Sequence, residues 1–337
     1  MKTNLPPPLS IPQIQEILAP CCQPALRETV SVVLSDAIQN VVDGECTPLQ
    51  PLFFSGFAGL GKTHAAELIA ETLKPYGFDF VQIPIGCKSS VLAKILVDNL
   101  DKNYPVFFFL DELHALKDPI ARNLLKTVTE TGGKIKEVTI QLGREEHKAT
   151  VNPALHLFIG ASNEAIKDSA LVGASGRFLD VQFLPYNAAG VQILFNLLRP
   201  KYLPGIALEP EAEAVALRNV RPFARSITVL QRAIRTRYKL GDEVSTAEGM
   251  ANALSTAGYI PGGWTRRHLS VLVFIDKAPR QVQEISNGPL MGSAEGATQG
   301  LLSELMQALL IRTEGGKKII TSEGQAFLKQ FRVAKKK

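Results

Sequence analysis

Eight consecutive residues constrain this chain more than any others: Gly56-Phe57-Ala58-Gly59-Leu60-Gly61-Lys62-Thr63, a G-x-x-x-x-G-K-T spacing. The apolar run Pro51-Leu52-Phe53-Phe54-Ser55 leads into them, and a helical pattern over residues 64–73 leads out. A glycine turn between a buried strand and a helix lets successive backbone N–H groups face phosphate oxygens, and the helix N-terminus adds its positive end. In such a cradle Gly56, Ala58, Gly59, Leu60 and Gly61 surround the phosphates of ATP. Lys62 reaches the β- and γ-phosphates, and the Thr63 hydroxyl is a ligand for Mg²⁺. The loop belongs at the carboxyl edge of a parallel sheet, so the remaining sequence has to supply that sheet.

The strand pattern meets this requirement. Residues 80–83, 106–110 and 155–160 are short apolar runs, separated by helical spacing over 91–100 and 121–131. Apolar strands alternating with helices predict an α/β fold with a parallel sheet covered on both faces. Residues 137–141 and 147–151 flank Leu142-Gly143-Arg144-Glu145-Glu146 and predict a β-hairpin inserted before the last strand. Upstream, residues 11–42 have helical spacing, and the Pro-rich stretch 1–10 is expected to be a poorly ordered arm.

After about Pro185 the pattern is helical, over 188–198, 210–218, 225–240 and 246–257. This predicts an all-α second domain, with 259–264 as a linker. Helical patterns over 266–276, 280–285 and 298–310 follow, then a hairpin over 311–321 with a Gly315-Gly316 turn. Three helices closed by a hairpin predict a winged helix. The expected partition is an N-terminal arm at 1–10, a sheet domain at 11–185, a helical lid at 186–260 and a winged helix with a basic tail at 261–337. A chain of 337 residues has the length for two or three domains.

Bulk properties exclude little. A net charge of +5 permits a nucleic-acid partner without demanding one. The four cysteines, at 21, 22, 46 and 87, match neither a zinc ribbon nor a disulfide framework. The N-terminus shows no secretory pattern, and the longest apolar runs are too short for a bilayer, so a cytoplasmic protein without a membrane partner is expected.

Phe107-Phe108-Phe109-Leu110-Asp111-Glu112 carries the second part of the chemistry. Two acids at the end of a fully apolar strand are costly unless they act at the sheet edge where ligands bind. Asp111 is a candidate to hold Mg²⁺, and Glu112 to polarise an attacking water. His114 follows them. With no second ligand at i+4, it is read as a structural or signalling residue. Trp264 and the aromatics at 107–109 are read as core.

The glycine loop, Leu110-Asp111-Glu112-Leu113-His114, Ile159-Gly160-Ala161-Ser162-Asn163 and Gly176-Arg177-Phe178 occur in the order found in AAA+ ATPases. Within that superfamily the chain most resembles the RuvB family, hexameric motors that drive Holliday-junction branch migration. The resemblance runs from about residue 20 to the end. It implies an ATP-hydrolysing homo-oligomeric ring acting on DNA, with ATP and Mg²⁺ as cofactors. Asn163 matches the polar sensor at a strand tip beside the γ-phosphate. Arg177 matches the arginine finger given in trans to the adjacent subunit, delivered by the loop 169–176. Arg225, at the start of a lid helix, matches the second sensor, with Arg221 the competing choice. The hairpin at 137–151 lies where RuvB-like proteins dock their partner RuvA, but its Arg-Glu-Glu tip is charged where an apolar surface is expected. Lys88 lies where ring pore loops touch DNA. Arg312, Lys317 and Lys318 on the wing, with Arg266, Arg267 and the tail 335–337, are candidates to face phosphates. A motor on DNA is the leading expectation. A helicase loader or transposition switch that assembles with ATP, and a protein-remodelling subunit, are the alternatives.

Overall fold

The computed structural model describes residues 5–100, 104–130, 134–164, 177–290 and 295–334. The chain forms two compact units, Met1–Leu197 with Pro222–Arg225, and Leu198–Arg221 with Ser226–Lys337.

The first unit opens with α1 (Ile11–Leu18) and α2 (Ser31–Val42), which bury Ile14, Leu18, Val33, Leu34 and Ile38. Ser10 and Gln13 form a capping box at α1, and the Tyr76 hydroxyl donates to the Pro7 carbonyl at 2.9 Å. Residues 5–10 are therefore held against the unit, unlike the arm the sequence predicts. Next come β1 (Leu52–Ser55), α3 (Lys62–Leu73), β2 (Asp79–Ile83), α4 (Ser89–Leu100), β3 (Val106–Leu110), α5 (Pro119–Val128), β4 (Lys136–Leu142), β5 (Glu145–Val151), β6 (His156–Ser162) and β7 (Leu179–Gln182).

Five strands form one parallel sheet in the order β2-β3-β6-β1-β7. Its centre is built from strands that are buried along their whole length: β3 is entirely apolar, and β6 is apolar between His156 and Ser162. Gly160 in β6 is a packing requirement: a Cβ there would stand 2.9 Å from the Leu113 side chain, just past the end of β3. β7 is invisible as an apolar run. It lies at the sheet edge, buries Val181 and exposes Leu179, Asp180 and Gln182. The predicted insertion is present as the antiparallel pair β4–β5. Its inner face, Val138, Ile140, Ala149 and Val151, joins a core cluster with Leu92 and Leu96 of α4. Its outer face carries a 2.7 Å ion pair between Glu137 and Lys148.

α6 (Ala188–Tyr202) and α8 (Ala224–Lys239) run across the division of the chain, and α7 (Pro210–Arg218) and α9 (Ala247–Thr256) lie in the second unit. The 259–264 segment is not a linker. It forms a short antiparallel hairpin of β8 (Tyr259–Ile260) and β9 (Trp264–Thr265), turned by Gly262 and Gly263. Then come α10 (Arg266–Lys277), α11 (Val282–Asn287), α12 (Glu295–Gln307), β10 (Ile311–Glu314), β11 (Lys317–Ile320) and α13 (Ser322–Ala334).

β10 and β11 pair as the predicted hairpin, and Arg280 bridges to Lys318 as a third short partner. Val271, Leu272, Ile275, Ile285, Leu302 and Leu328 form the core, with Trp264 and Phe327 packed on it. α13 was not predicted. Its start is marked by Thr321, whose hydroxyl accepts from the Gly324 N–H at 3.0 Å, an N-cap bond readable in the sequence. Among the described residues no helix is long and apolar enough to cross a membrane.

Candidate active site

Because β1, β3 and β6 are parallel and adjacent in the order β3-β6-β1, their carboxyl ends lie on one edge. The sequence places the glycine loop after β1, Asp111 and Glu112 after β3, and Asn163 after β6. Three separate stretches of sequence thereby meet, as expected for ligand sites in open α/β sheets.

Gly56, Gly59 and Gly61 all have positive φ, at 135°, 83° and 88°. Gly56 is the most constrained, because a Cβ on it would stand 2.5 Å from the Phe183 carbonyl oxygen, and one on Gly59 would stand 2.9 Å from the Arg225 Cβ. Lys62 is buried at 7% exposure, and its Nζ donates to the carbonyls of Gly56 at 2.7 Å and Phe57 at 2.9 Å. Burial pushes its pKa down, the carboxylates of Glu112 and Asp111 pull it back up, and Arg225 lowers it further. Leu60 has its side chain in the core while its carbonyl accepts from the Tyr186 hydroxyl at 2.5 Å. Burial pushes that phenol up to about 12, so Tyr186 stays a neutral donor that pins the loop. Periodicity carries no signal for Tyr186, since its value depends on where the loop passes.

The Thr63 hydroxyl donates to Asp111 Oδ2 at 3.0 Å, and Asp111 Oδ1 accepts from the Glu112 N–H at 2.9 Å. A hydroxyl and a carboxylate one hydrogen bond apart, beside a phosphate cradle, are the hard oxygen donors that suit Mg²⁺. Glu112 has a left-handed backbone, φ 51°, which turns it away from the strand direction. Its Oε1 accepts from Asn163 Nδ2 at 3.2 Å. Glu112 Oε2 and Asn163 Oδ1 are buried without a hydrogen-bond partner. Buried polar atoms are normally paired, so these two fit a site that receives polar groups from a ligand. The residues present thus suit a nucleotide and its metal. His114 also enters the site: its Nδ1 lies 2.9 Å from Ser162 Oγ and 3.2 Å from Glu112 Oε2.

Of the two lid arginines, Arg225 is the one at the glycine loop, its N–H directed at the Gly59 carbonyl at 3.5 Å. Arg221 is engaged within the second unit, 2.8 Å from Glu304 and stacked over Trp264 at 5.1 Å. Arg177 lies 4.0 Å from Glu130, and its carbonyl accepts from Gln50 at 3.0 Å. The loop 169–176 expected to deliver it lies outside the described residues, as does the tail 335–337.

Among the DNA candidates, Lys88 is exposed just before α4, and Lys317, Arg266 and Arg267 are exposed. Arg312 is exposed and paired with Glu314 at 3.0 Å. Lys318 corrects an expectation. It is buried at 8% exposure, and its ammonium donates to Thr313 Oγ1 at 2.7 Å beside the Met306 sulfur. Burial lowers its pKa, and the side chain is committed to packing under the β10–β11 hairpin rather than to a phosphate. Alternation decides this, because Lys317 and Lys318 point to opposite faces of β11.

Residues 52–186 match the model of the ATPase family associated with various cellular activities, AAA. No curated protein matches the sequence. Among solved structures, a point mutant of Thermotoga maritima RuvB aligns with a TM-score of 0.67 at 18% identity, covering 96% of this chain and 98% of that one. The Thermotoga maritima RuvB Holliday junction branch migration motor aligns with a TM-score of 0.63 at 19% identity, covering 90% of this chain and 94% of that one. At these identities the likeness is one of fold. The match to the AAA model at residues 52–186 thus lies in a chain whose fold is similar to that of RuvB over nearly its whole length.

Proposed function

We propose that this protein is a cytoplasmic ATP-hydrolysing motor that assembles as a ring, hexameric as in RuvB-like proteins, and moves on DNA in recombination, replication or repair. The observation that carries the hydrolytic part is the meeting of Thr63 with Asp111 and of Asn163 with Glu112 at the mouth of the glycine loop. The DNA part is supported by a fold that covers 98% of the length of a RuvB structure.

Bound ATP and Mg²⁺ supply the phosphoanhydride to be cleaved and the cation that neutralises its charge. Lys62 exchanges its loop carbonyls for phosphate oxygens. Thr63 and Asp111 offer oxygens to the cation. Glu112 takes up and orients the attacking water, and Asn163 holds that carboxylate in register. Arg177 completes the site of the neighbouring subunit by stabilising negative charge on the transferring group. Arg225, at the start of α8, connects the loop's state to the lid helices, and a hinge-type change follows. Lys88, Arg312 and Lys317 contact the DNA backbone, and the winged helix carries the last two. The charged outer face of the 137–151 hairpin offers a polar docking surface to a partner protein.

The test measures ATPase activity with and without DNA, then branch migration on a synthetic four-way junction. DNA-stimulated hydrolysis with junction movement is the expected result. Stimulation without movement selects the loader or switch, and hydrolysis indifferent to DNA removes the DNA reading.

A further inference from the structure

His114 stands next to the acids, yet the hydrolytic roles above leave it without a task. The inference that follows rests on the reading of Glu112 as the group that orients water.

The Ser162 hydroxyl has one proton, and it donates that proton to the Glu164 carbonyl at 2.7 Å. The same oxygen accepts from the Glu164 N–H at 3.0 Å. Toward the His114 ring, 2.9 Å away, it can then only accept. This assigns the proton of the imidazole to Nδ1. That N–H also stands 3.2 Å from Glu112 Oε2, the carboxylate oxygen that lacks a hydrogen-bond partner. The other oxygen of Glu112 is held by Asn163. His114 Nε2 lies 3.9 Å from the Glu164 carboxylate, on the outer side of the ring.

We propose that His114 is a positioning residue for Glu112. Its Nδ1–H is a donor with two acceptors in reach, Ser162 Oγ at the end of β6 and Glu112 Oε2. Turned toward Ser162, as here, it leaves Oε2 unpaired and able to accept from a ligand or a water brought in with it. Turned toward Glu112, it clamps the carboxylate from the side opposite Asn163. The geometry couples the angle of Glu112 to the tip of β6, from which Asn163 also projects. Both arms that hold the carboxylate therefore move with one strand end. An apolar side chain at 114 would keep the packing and lose the coupling.

The experiment compares wild type, His114→Phe and His114→Asn in steady-state ATP hydrolysis, with equilibrium binding of a fluorescent ATP analogue as the second measurement. Asparagine keeps an N–H donor near the position of Nδ1, whereas phenylalanine keeps only bulk. His114→Phe is expected to lower kcat about tenfold, because a misplaced water-orienting group loses catalysis without losing ligand contacts. The KM for ATP and the affinity for the analogue are expected to stay within about twofold, since no contact to nucleotide is removed. His114→Asn is expected to recover most of the lost kcat. A His114→Phe enzyme with wild-type kcat overturns the proposal, as does a loss confined to KM, or an asparagine variant no better than phenylalanine. If His114→Phe fails to bind the analogue, His114→Asn decides alone, and a kcat tenfold below wild type with intact binding overturns the proposal. A wild-type protein that binds the analogue without hydrolysing ATP refutes the hydrolytic function and the proposal with it. An active wild type with an unaffected His114→Phe refutes the proposal alone.

Discussion

The first residue of β6 makes the first unit acid-sensitive. His156 is 3% exposed, its Nδ1 accepts from the Asn152 N–H at 3.1 Å, and its Nε2 is buried without a hydrogen-bond partner. The ring meets Phe108 in a T-shaped arrangement, with centroids 6.3 Å apart. Nothing there welcomes a second proton, and burial pushes the pKa from 6.5 down to about 4. Below pH 6.5 the unfolded chain binds a proton at this side chain that the folded chain refuses. Stability is therefore lost as pH falls from about 6.5 toward about 4. Linkage between those two values gives a loss of about 2 kcal/mol at pH 5 and about 3 kcal/mol at pH 4.

The perturbation that isolates the effect is His156→Asn, which keeps an acceptor for Asn152 and removes the titration. Urea unfolding of wild type and variant at pH 7 and pH 5, followed by the first unit's transition, separates this group from all others that titrate. The wild type should lose about 2 kcal/mol more than the variant between the two pH values. In melting temperature this corresponds to roughly 4–8 °C for a unit of this size. A gap between the two proteins that does not change with pH refutes the reasoning.

Four further perturbations probe the sites described. Lys62→Ala should abolish ATP hydrolysis and weaken analogue binding while leaving the fold intact by circular dichroism. Gly59→Ala should do the same, because it combines a φ of 83° with a Cβ 2.9 Å from Arg225. Arg177→Ala should lower ATPase activity at least a thousandfold, by analogy with other trans arginines. Mixing it with Lys62→Ala subunits should restore part of the rate, and a mixture as inactive as its components refutes a finger in trans. In the second unit, Glu304 sits 2.8 Å from both Arg221 and His268. Burial raises its pKa, and those two partners more than offset this, so its net pKa is lowered. Its stabilising contribution is present above the ordinary carboxylate pKa and is lost as pH falls through the depressed value. Glu304→Ala should cost the second unit about 3 kcal/mol at pH 7, read by urea unfolding, because Arg221 is left buried and uncompensated.

The spacing of Gly56, Gly59, Gly61 and Lys62, and the acids after an all-apolar strand, determine from sequence alone that the chain builds a parallel sheet with a glycine loop at its carboxyl edge. The signal is local: each motif is a strand end followed by a few residues whose chemistry needs that backbone, so neighbours in sequence suffice to read it. The edge strand β7 and the closing helix α13 were missed because a short, half-exposed strand and a capped amphipathic helix leave weak periodic signals. Tertiary structure alone decided which side chains share a space. It turned Lys318 under the β10–β11 hairpin, and set Tyr186 on Leu60 and His114 between Glu112 and Ser162. Those outcomes depend on which strand lies beside which and on which face of a strand a residue occupies. They follow from burying the whole sheet and hairpin at once, a long-range requirement that no window of neighbouring residues contains.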